Sequence, residues 1–134
     1  PRGYYFAKRV SLSSINAYCY LQREGSVMRT SDPKKVAKKA KDLLSICDSL
    51  YQFVEEHMEE GTKVYNSFMD KIAFAFSQSL KNYTVDVFDI AEYKDKPYYP
   101  LKYSGKVRKS EKIKYSLINF SLPLYVFLCK TVKK

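Results

Sequence analysis

The sequence predicts an α+β domain in which a mostly antiparallel β-sheet packs on a two-helix hairpin. Apolar residues recur every three or four positions through residues 33–80, which is a helical period. Apolar and polar residues instead alternate through much of 4–30 and 83–130, which is typical of strands. The expected order of elements is therefore β-β-(β)-α-α-β-β-β-β, with the helix pair covering one face of the sheet.

The N-terminal region predicts a β-meander over residues 4–30. Residues 4–12 are rich in aromatic and β-branched side chains, which favour a strand. Residues 15–21 alternate between apolar and polar side chains, and Glu24-Gly25 is a turn signal. A third short strand over 26–30 completes the expected meander.

The central region carries the clearest helix signals in the chain. Asp32 can cap a first helix, and Pro33 suits its first position, where no backbone N–H is needed. We expect this helix to end near Gly61 and a second helix to begin after a Thr62 cap. The predicted buried stripe of the first helix is Val36, Ala40, Leu43, Leu44, Cys47, Leu50, Tyr51, Val54 and Met58. That of the second is Val64, Tyr65, Phe68, Met69, Ile72, Ala73, Phe76 and Leu80.

The C-terminal region predicts four more strands. Alternation continues from residue 83 to about residue 90. Residues 98–103 are expected at a sheet edge, because Pro100 cannot donate to a central ladder. Apolar and polar residues largely alternate again over 113–120, and the apolar run 124–129 predicts a buried strand.

Length and composition favour a single domain spanning residues 1–134, either a whole protein or a domain excised from a longer one. Its three cysteines, Cys19, Cys47 and Cys129, are far apart and form no metal-binding pair. We expect free, buried thiols in an intracellular, reducing compartment, either cytoplasm or nucleus. The apolar run at 117–129 is too short and too interrupted for a transmembrane helix.

No catalytic, metal or cofactor motif stands out, and we expect a protein that is not an enzyme. His57 is the only histidine, and its neighbours Glu55, Glu56, Glu59 and Glu60 suggest a solvated surface rather than a base in a cleft. With four glycines in the chain, no phosphate-cradling glycine loop is present.

The charge of the chain points to an anionic partner. The formal net charge is +10, and residues 91–134 carry eleven lysines and arginines against three carboxylates. The first predicted helix begins with lysines and ends with Glu55–Glu60. This order opposes the helix macrodipole, which disfavours each such exposed charge by about 0.3–1 kcal/mol. An external counter-charge would explain why the lysines stand at the positive end.

Lysines, arginines and tyrosines also interleave in the C-terminal third. Cationic side chains neutralise phosphates, and tyrosine rings can stack on unpaired bases. The sequence therefore predicts a nucleic-acid-binding surface, for RNA or DNA, with an acidic protein as the other anionic partner. The expected phosphate contacts are Lys34, Lys35, Lys38, Lys39, Lys41, Lys102, Lys106, Arg108, Lys109, Lys112 and Lys114. The expected stacking residues are Tyr98, Tyr99 and Tyr103.

Two other functions fit parts of the pattern. Antiparallel self-association through the helix of residues 33–60 would pair its lysines with its glutamates, as in a dimerising or adaptor module of viral or host origin. The predicted order of elements is also similar to that of small basic ribosome-dependent toxin ribonucleases, which would imply RNA cleavage by lysine, arginine and tyrosine side chains. That resemblance is at the level of fold order, and the longer meander and helices depart from it.

Overall fold

A computed structural model describes residues 6–8, 32–82 and 90–131, and these residues form helices and loops without any β-strand. The predicted α+β class and its antiparallel sheet are therefore wrong for this part of the chain. The helices are α1 (Pro33–His57), α2 (Lys63–Lys81), α3 (Ile90–Lys94), α4 (Lys109–Phe120) and α5 (Leu122–Thr131).

The two central helices confirm the predicted hairpin and both of its N-terminal caps. The Asp32 carboxylate accepts a hydrogen bond from the Lys34 backbone N–H at 2.9 Å, and Thr62 Oγ1 accepts one from the Tyr65 N–H at 3.2 Å. α1 ends at His57, slightly before the predicted end. Gly61 has a φ of +85°, a left-handed conformation that glycine adopts without a steric penalty.

α1 and α2 pack antiparallel along their whole shared length. The Ser79 hydroxyl donates to the Ala40 carbonyl at 2.8 Å, near the start of α1 and the end of α2. Phe53 and Phe68 contact each other at the opposite end, with ring centroids 5.8 Å apart. Between them, the Cys47 thiol lies 3.6 Å from the Ile72 carbonyl oxygen. The first helix is therefore covered by the second from its lysine-rich start to its glutamate-rich end.

Tyrosines supply much of the core. All tyrosines that the structure describes are buried or half-buried, and Tyr93, Tyr98 and Tyr115 are at most 2% exposed. Their hydroxyls keep polar partners inside the fold: Tyr93 bonds to the Ser79 hydroxyl at 2.7 Å, and Tyr98 donates to the Asp48 carboxylate at 2.9 Å. Each described tyrosine is therefore at least partly packed inside the fold.

The segment predicted as an edge strand, 98–103, is an irregular loop across the helix pair. The side chain of Asn119 takes the place of a neighbouring strand. Its Oδ1 accepts from the Leu101 N–H at 2.7 Å, and its Nδ2 donates to the Leu101 carbonyl at 3.0 Å. Ser104 then donates from its N–H and its hydroxyl to Asp70 on α2. Side chains therefore satisfy the backbone groups of Leu101 and the N–H of Ser104, so this loop does not need a neighbouring strand.

The predicted strand at 113–120 is helical because a helical stripe, not an alternating one, is buried there. Tyr115 and Ile118 stand three residues apart and are fully buried, as is Leu122 four residues further. Ile113, an apolar residue at the start of the alternating segment, is 70% exposed. The segment fits both periods in part, and contact with α2 selects the helix.

The predicted strand at 124–129 lies inside α5. A short apolar run does not distinguish a buried strand from a helix by its periodicity. Pro123 is compatible with the helix because it stands in the first turn, where its missing N–H removes no hydrogen bond. The predicted strands at 4–12, 15–21, 26–30 and 83–90 fall almost entirely outside the described residues.

We expect the Ser79 hydroxyl to couple the helix pair to α3. Ser79→Ala and Tyr93→Phe should each lower the free energy of unfolding by about 1–2 kcal/mol, because each removes the buried hydrogen bond between the two hydroxyls. The double variant should lose about 1 kcal/mol less than the two single losses together. Urea denaturation measures all three variants.

Ser77→Ala is the matched control for this cycle. Ser77 is equally buried on α2, but its hydroxyl donates only within its own helix, to the Phe74 carbonyl at 2.8 Å. We expect its loss to be under about 0.5 kcal/mol. Additive effects of Ser79→Ala and Tyr93→Phe would contradict the coupling.

Candidate functional site

Five lysines occupy the outer side of the first three turns of α1, and we call them the N-terminal lysine face: Lys34, Lys35, Lys38, Lys39 and Lys41. Lys39 is half-buried and the others are exposed. Lys34, Lys38 and Lys41 follow the spacing i, i+4, i+7, so they form one line along the helix. Ala37, Ala40 and Leu44 are buried on the other side, against the core.

The acidic residue at the start of α1 is Asp32, whose carboxylate caps the Lys34 backbone N–H. The first turn of α1 contains no acidic residue. No described carboxylate forms an ion pair with Lys34, Lys35, Lys38 or Lys39. Asp42, one turn further, is the next acidic residue along the helix. The positive end of the helix dipole therefore carries additional positive charge.

The fold brings two more cations to the same end of the molecule. Antiparallel packing places the last turn of α2, including Lys81, beside the start of α1. Tyr93 bonds to Ser79 and so anchors α3 at this end, where the next residue, Lys94, is exposed. Sequence reasoning missed both lysines, because only tertiary packing brings residues 40, 79 and 93 together.

The C-terminal cations, which we call the C-terminal basic set, are in a different place: Lys102, Lys106, Arg108, Lys109, Lys112 and Lys114. Lys102 forms an ion pair with Glu60 at 2.8 Å, just beyond the far end of α1. At 1.5 Å per helical residue, this position is roughly 30 Å from the N-terminal lysine face. The structure therefore does not join Lys102 to that face.

Part of the C-terminal basic set is neutralised within the chain. Lys114 pairs with Glu111 at 2.7 Å, and a hydrogen bond from Lys114 is the main reason that the pKa of Glu111 is lowered. Lys106, Arg108 and Lys109 are exposed before and at the start of α4, and Lys112 is half-buried. The set therefore retains four cations without an ion pair among the described residues.

The three predicted stacking tyrosines do not form an exposed platform. Tyr98 is 2% exposed, and its pKa is raised mainly by burial. Tyr99 is half-buried and stacks on Phe76, with ring centroids 6.3 Å apart. Tyr103 is half-buried, and its hydroxyl lies 3.1 Å from the Ser116 hydroxyl. Their rings pack the loop onto the helices, which leaves the lysines as the exposed part of the predicted site.

The acidic end of α1 is a surface with local partners. Gln52 donates to Glu56 at 2.9 Å, and the His57 ring stacks on Phe53 at 4.6 Å between centroids. Within the described ranges, no group of three or more histidine, cysteine, aspartate or glutamate side chains could hold a metal ion. The ribonuclease resemblance also loses its basis, because it depended on the sheet.

Searches against protein-family models, curated protein sequences and solved structures find no match to this chain. None of the described helices has both the length and the apolar composition needed to cross a membrane.

We expect the Glu111–Lys114 pair to make stability depend on pH. Because the folded pKa of Glu111 is lowered, its contribution is present above the unfolded pKa and is lost as pH falls through the folded pKa. Lys114→Met should lower the free energy of unfolding by about 0.5 kcal/mol at neutral pH and by nearly nothing at a pH well below the folded pKa of Glu111. Urea titrations at both pH values test this, with Lys112→Met as control. An undiminished difference in acid would contradict it.

Proposed function

We propose that this chain is a non-enzymatic binding domain that engages nucleic acid, RNA or DNA, through the N-terminal lysine face. The supporting observation is the set of lysines at the positive end of α1. Lys34, Lys35, Lys38 and Lys39 form no ion pair with any described carboxylate. A polyanion would supply the counter-charge that the fold omits.

The dimensions of this face suit a phosphate backbone. Lys34 and Lys41 are seven residues apart, about 10 Å along the helix axis. Phosphates on one strand of a duplex advance about 3.4 Å per nucleotide, so this line of lysines is as long as about three phosphate steps. Lys81 and Lys94 would extend the contact at the same end.

The lysine face should also destabilise the unbound protein. Each lysine in the first turn opposes the helix dipole, so reversing its charge should stabilise the fold by about 0.3–1 kcal/mol. We therefore expect Lys34→Glu/Lys35→Glu to raise the free energy of unfolding while it removes nucleic-acid binding. A gain in stability together with a loss of binding would show that these lysines serve the ligand and not the fold.

The matched control for that variant is Lys63→Glu. Lys63 is exposed in the first turn of α2, which also lacks acidic residues, but it lies at the opposite end of the helix pair. It should leave binding unchanged. Equal loss of binding in both variants would mean that net charge, not this face, holds the ligand.

Salt dependence measures the number of phosphate contacts. Fluorescence anisotropy with short single-stranded and duplex oligonucleotides should show affinity falling steeply with salt, and Lys34→Gln/Lys38→Gln should reduce the log–log slope by about 2. A flat salt response, or no binding at low salt, would exclude the proposal.

A dimerising interaction module is the second candidate. Lys38 and Glu56 are 18 residues apart, five turns of α1, so they share one exposed face at opposite ends. A second copy lying antiparallel on this face would pair each lysine with the glutamate of its partner. This arrangement would supply the counter-charge without nucleic acid.

A charge swap tests this candidate. Sedimentation velocity at high protein concentration should show a dimer that Lys38→Glu and Glu56→Lys each disrupt, because like charges then meet. The combined Lys38→Glu/Glu56→Lys variant should restore it. A monomer at every concentration would exclude self-association through α1.

We also propose that the protein works in a reducing, intracellular compartment. Cys47 and Cys129 are free thiols, and Cys47 is fully buried. Burial raises the pKa of Cys47 to about 12, so this thiol stays protonated and unreactive at neutral pH.

A further inference from the structure

Aromatic side chains are distributed in an unusual way between the core and the surface. The described tyrosines are buried or half-buried, while Phe120 and Phe127 are 82% and 62% exposed. Phenylalanine has no polar atom that water can satisfy, so its exposure is the less favourable arrangement. Exposed apolar side chains gathered in one region mark an interaction site more often than single ones do.

The exposed apolar side chains concentrate on the two C-terminal helices. α5 buries Leu122, Tyr125 and Val126 against the core. At 100° per residue, the opposite side of α5 presents three further apolar residues, which are also exposed: Leu124, Phe127 and Leu128. A helix that is apolar on all sides is normally covered on all sides.

α4 adds to this surface. Ile113 and Phe120 stand seven residues apart, on one side of α4, and are 70% and 82% exposed. α4 and α5 contact each other and both pack on α2, so the sides opposite their buried residues face away from the core. We call these outward residues the C-terminal apolar face: Ile113, Phe120, Leu124, Phe127 and Leu128.

The charges of the same two helices are almost all positive. Glu111 is their only carboxylate, and Lys114 neutralises it. The remaining charges of α4 are Lys109 and Lys112, and Arg108 immediately precedes α4. A second copy of the chain docked on this face would bring like charges together, whereas an anionic surface would be attracted.

We propose that the C-terminal apolar face docks on an anionic lipid bilayer surface. Helices bind the membrane interface by burying an apolar side with phenylalanine and leucine among the acyl chains while lysines meet anionic headgroups. The two α-helices present these two features together. This interaction is separate from the nucleic-acid proposal, since it uses helices that carry none of the N-terminal lysine face.

Tryptophan reporters test the docking directly, because the chain has no natural tryptophan. Phe127→Trp should show a blue-shifted emission when vesicles of phosphatidylcholine with about 30 mol% phosphatidylserine are added. Ile46→Trp is the control, because Ile46 is 49% exposed on α1, outside the C-terminal helices. Its emission should not change. An unchanged Phe127→Trp spectrum, or equal shifts at both positions, would overturn the proposal.

Co-sedimentation with the same vesicles measures the contribution of the apolar face. Phe120→Ser/Phe127→Ser should lower the partition coefficient of the protein between vesicles and buffer by about tenfold or more. Ile46→Ser should leave this coefficient unchanged. Vesicles of phosphatidylcholine alone should bind the unaltered protein more weakly. Equal binding by Phe120→Ser/Phe127→Ser and the unaltered protein would exclude the face.

Two further measurements separate the proposal from its alternatives. The melting temperature of Phe120→Ser/Phe127→Ser should equal that of the unaltered protein, because exposed side chains contribute little to stability. A large drop would show that the chain itself covers these residues. A lipid-independent dimer that the same variant dissolves would assign the face to self-association instead.

Discussion

The antiparallel packing of α1 on α2 is the constraint on which the rest of the structure depends. Small side chains at Ala40 and Ser79 let the helices approach closely enough for a direct hydroxyl-to-carbonyl bond at 2.8 Å. Phe53 and Phe68 close the opposite end. Both helices then form a platform, because α4 and α5 pack on α2 and the 98–104 loop lies across the pair. Burial of this shared apolar surface is the main favourable contribution to stability.

Tyrosines let this small domain bury polar groups without leaving them unsatisfied. Tyr93 and Tyr98 fill the space between the loop and the helices, and each hydroxyl finds a partner on α2 or α1. A buried tyrosine ring contributes a large apolar area, and its hydroxyl must reach a hydrogen-bond partner, which fixes where the ring lies. Tyr98, which the sequence predicted to stack on nucleic-acid bases, therefore helps to hold the fold together. The exposed aromatic side chains include Phe120 and Phe127.

Ion pairing inside the chain separates structural charges from those open to a ligand. Lys102 pairs with Glu60, just beyond the end of α1, and Lys96 pairs with Asp48 in the middle of that helix. Such exposed pairs contribute little to stability, but they do reduce the local field. Lys34, Lys35, Lys38 and Lys39 of the N-terminal lysine face form no such pair with a described carboxylate. These four lysines therefore remain available to an anionic ligand.

The sequence by itself determined the helix pair, because its caps at Asp32 and Thr62 and its three-to-four spacing are local signals that act along the chain. It also located the exposed lysines of α1, since five lysines in eight residues cannot all be buried. Only the tertiary structure decided that 113–120 and 124–129 are helices, because short apolar segments fit two periods until a neighbouring helix selects the buried stripe. Likewise, burial of Tyr98 and the position of Lys94 at the same end of the molecule as the start of α1 depend on contacts between residues far apart in sequence, which no local pattern encodes.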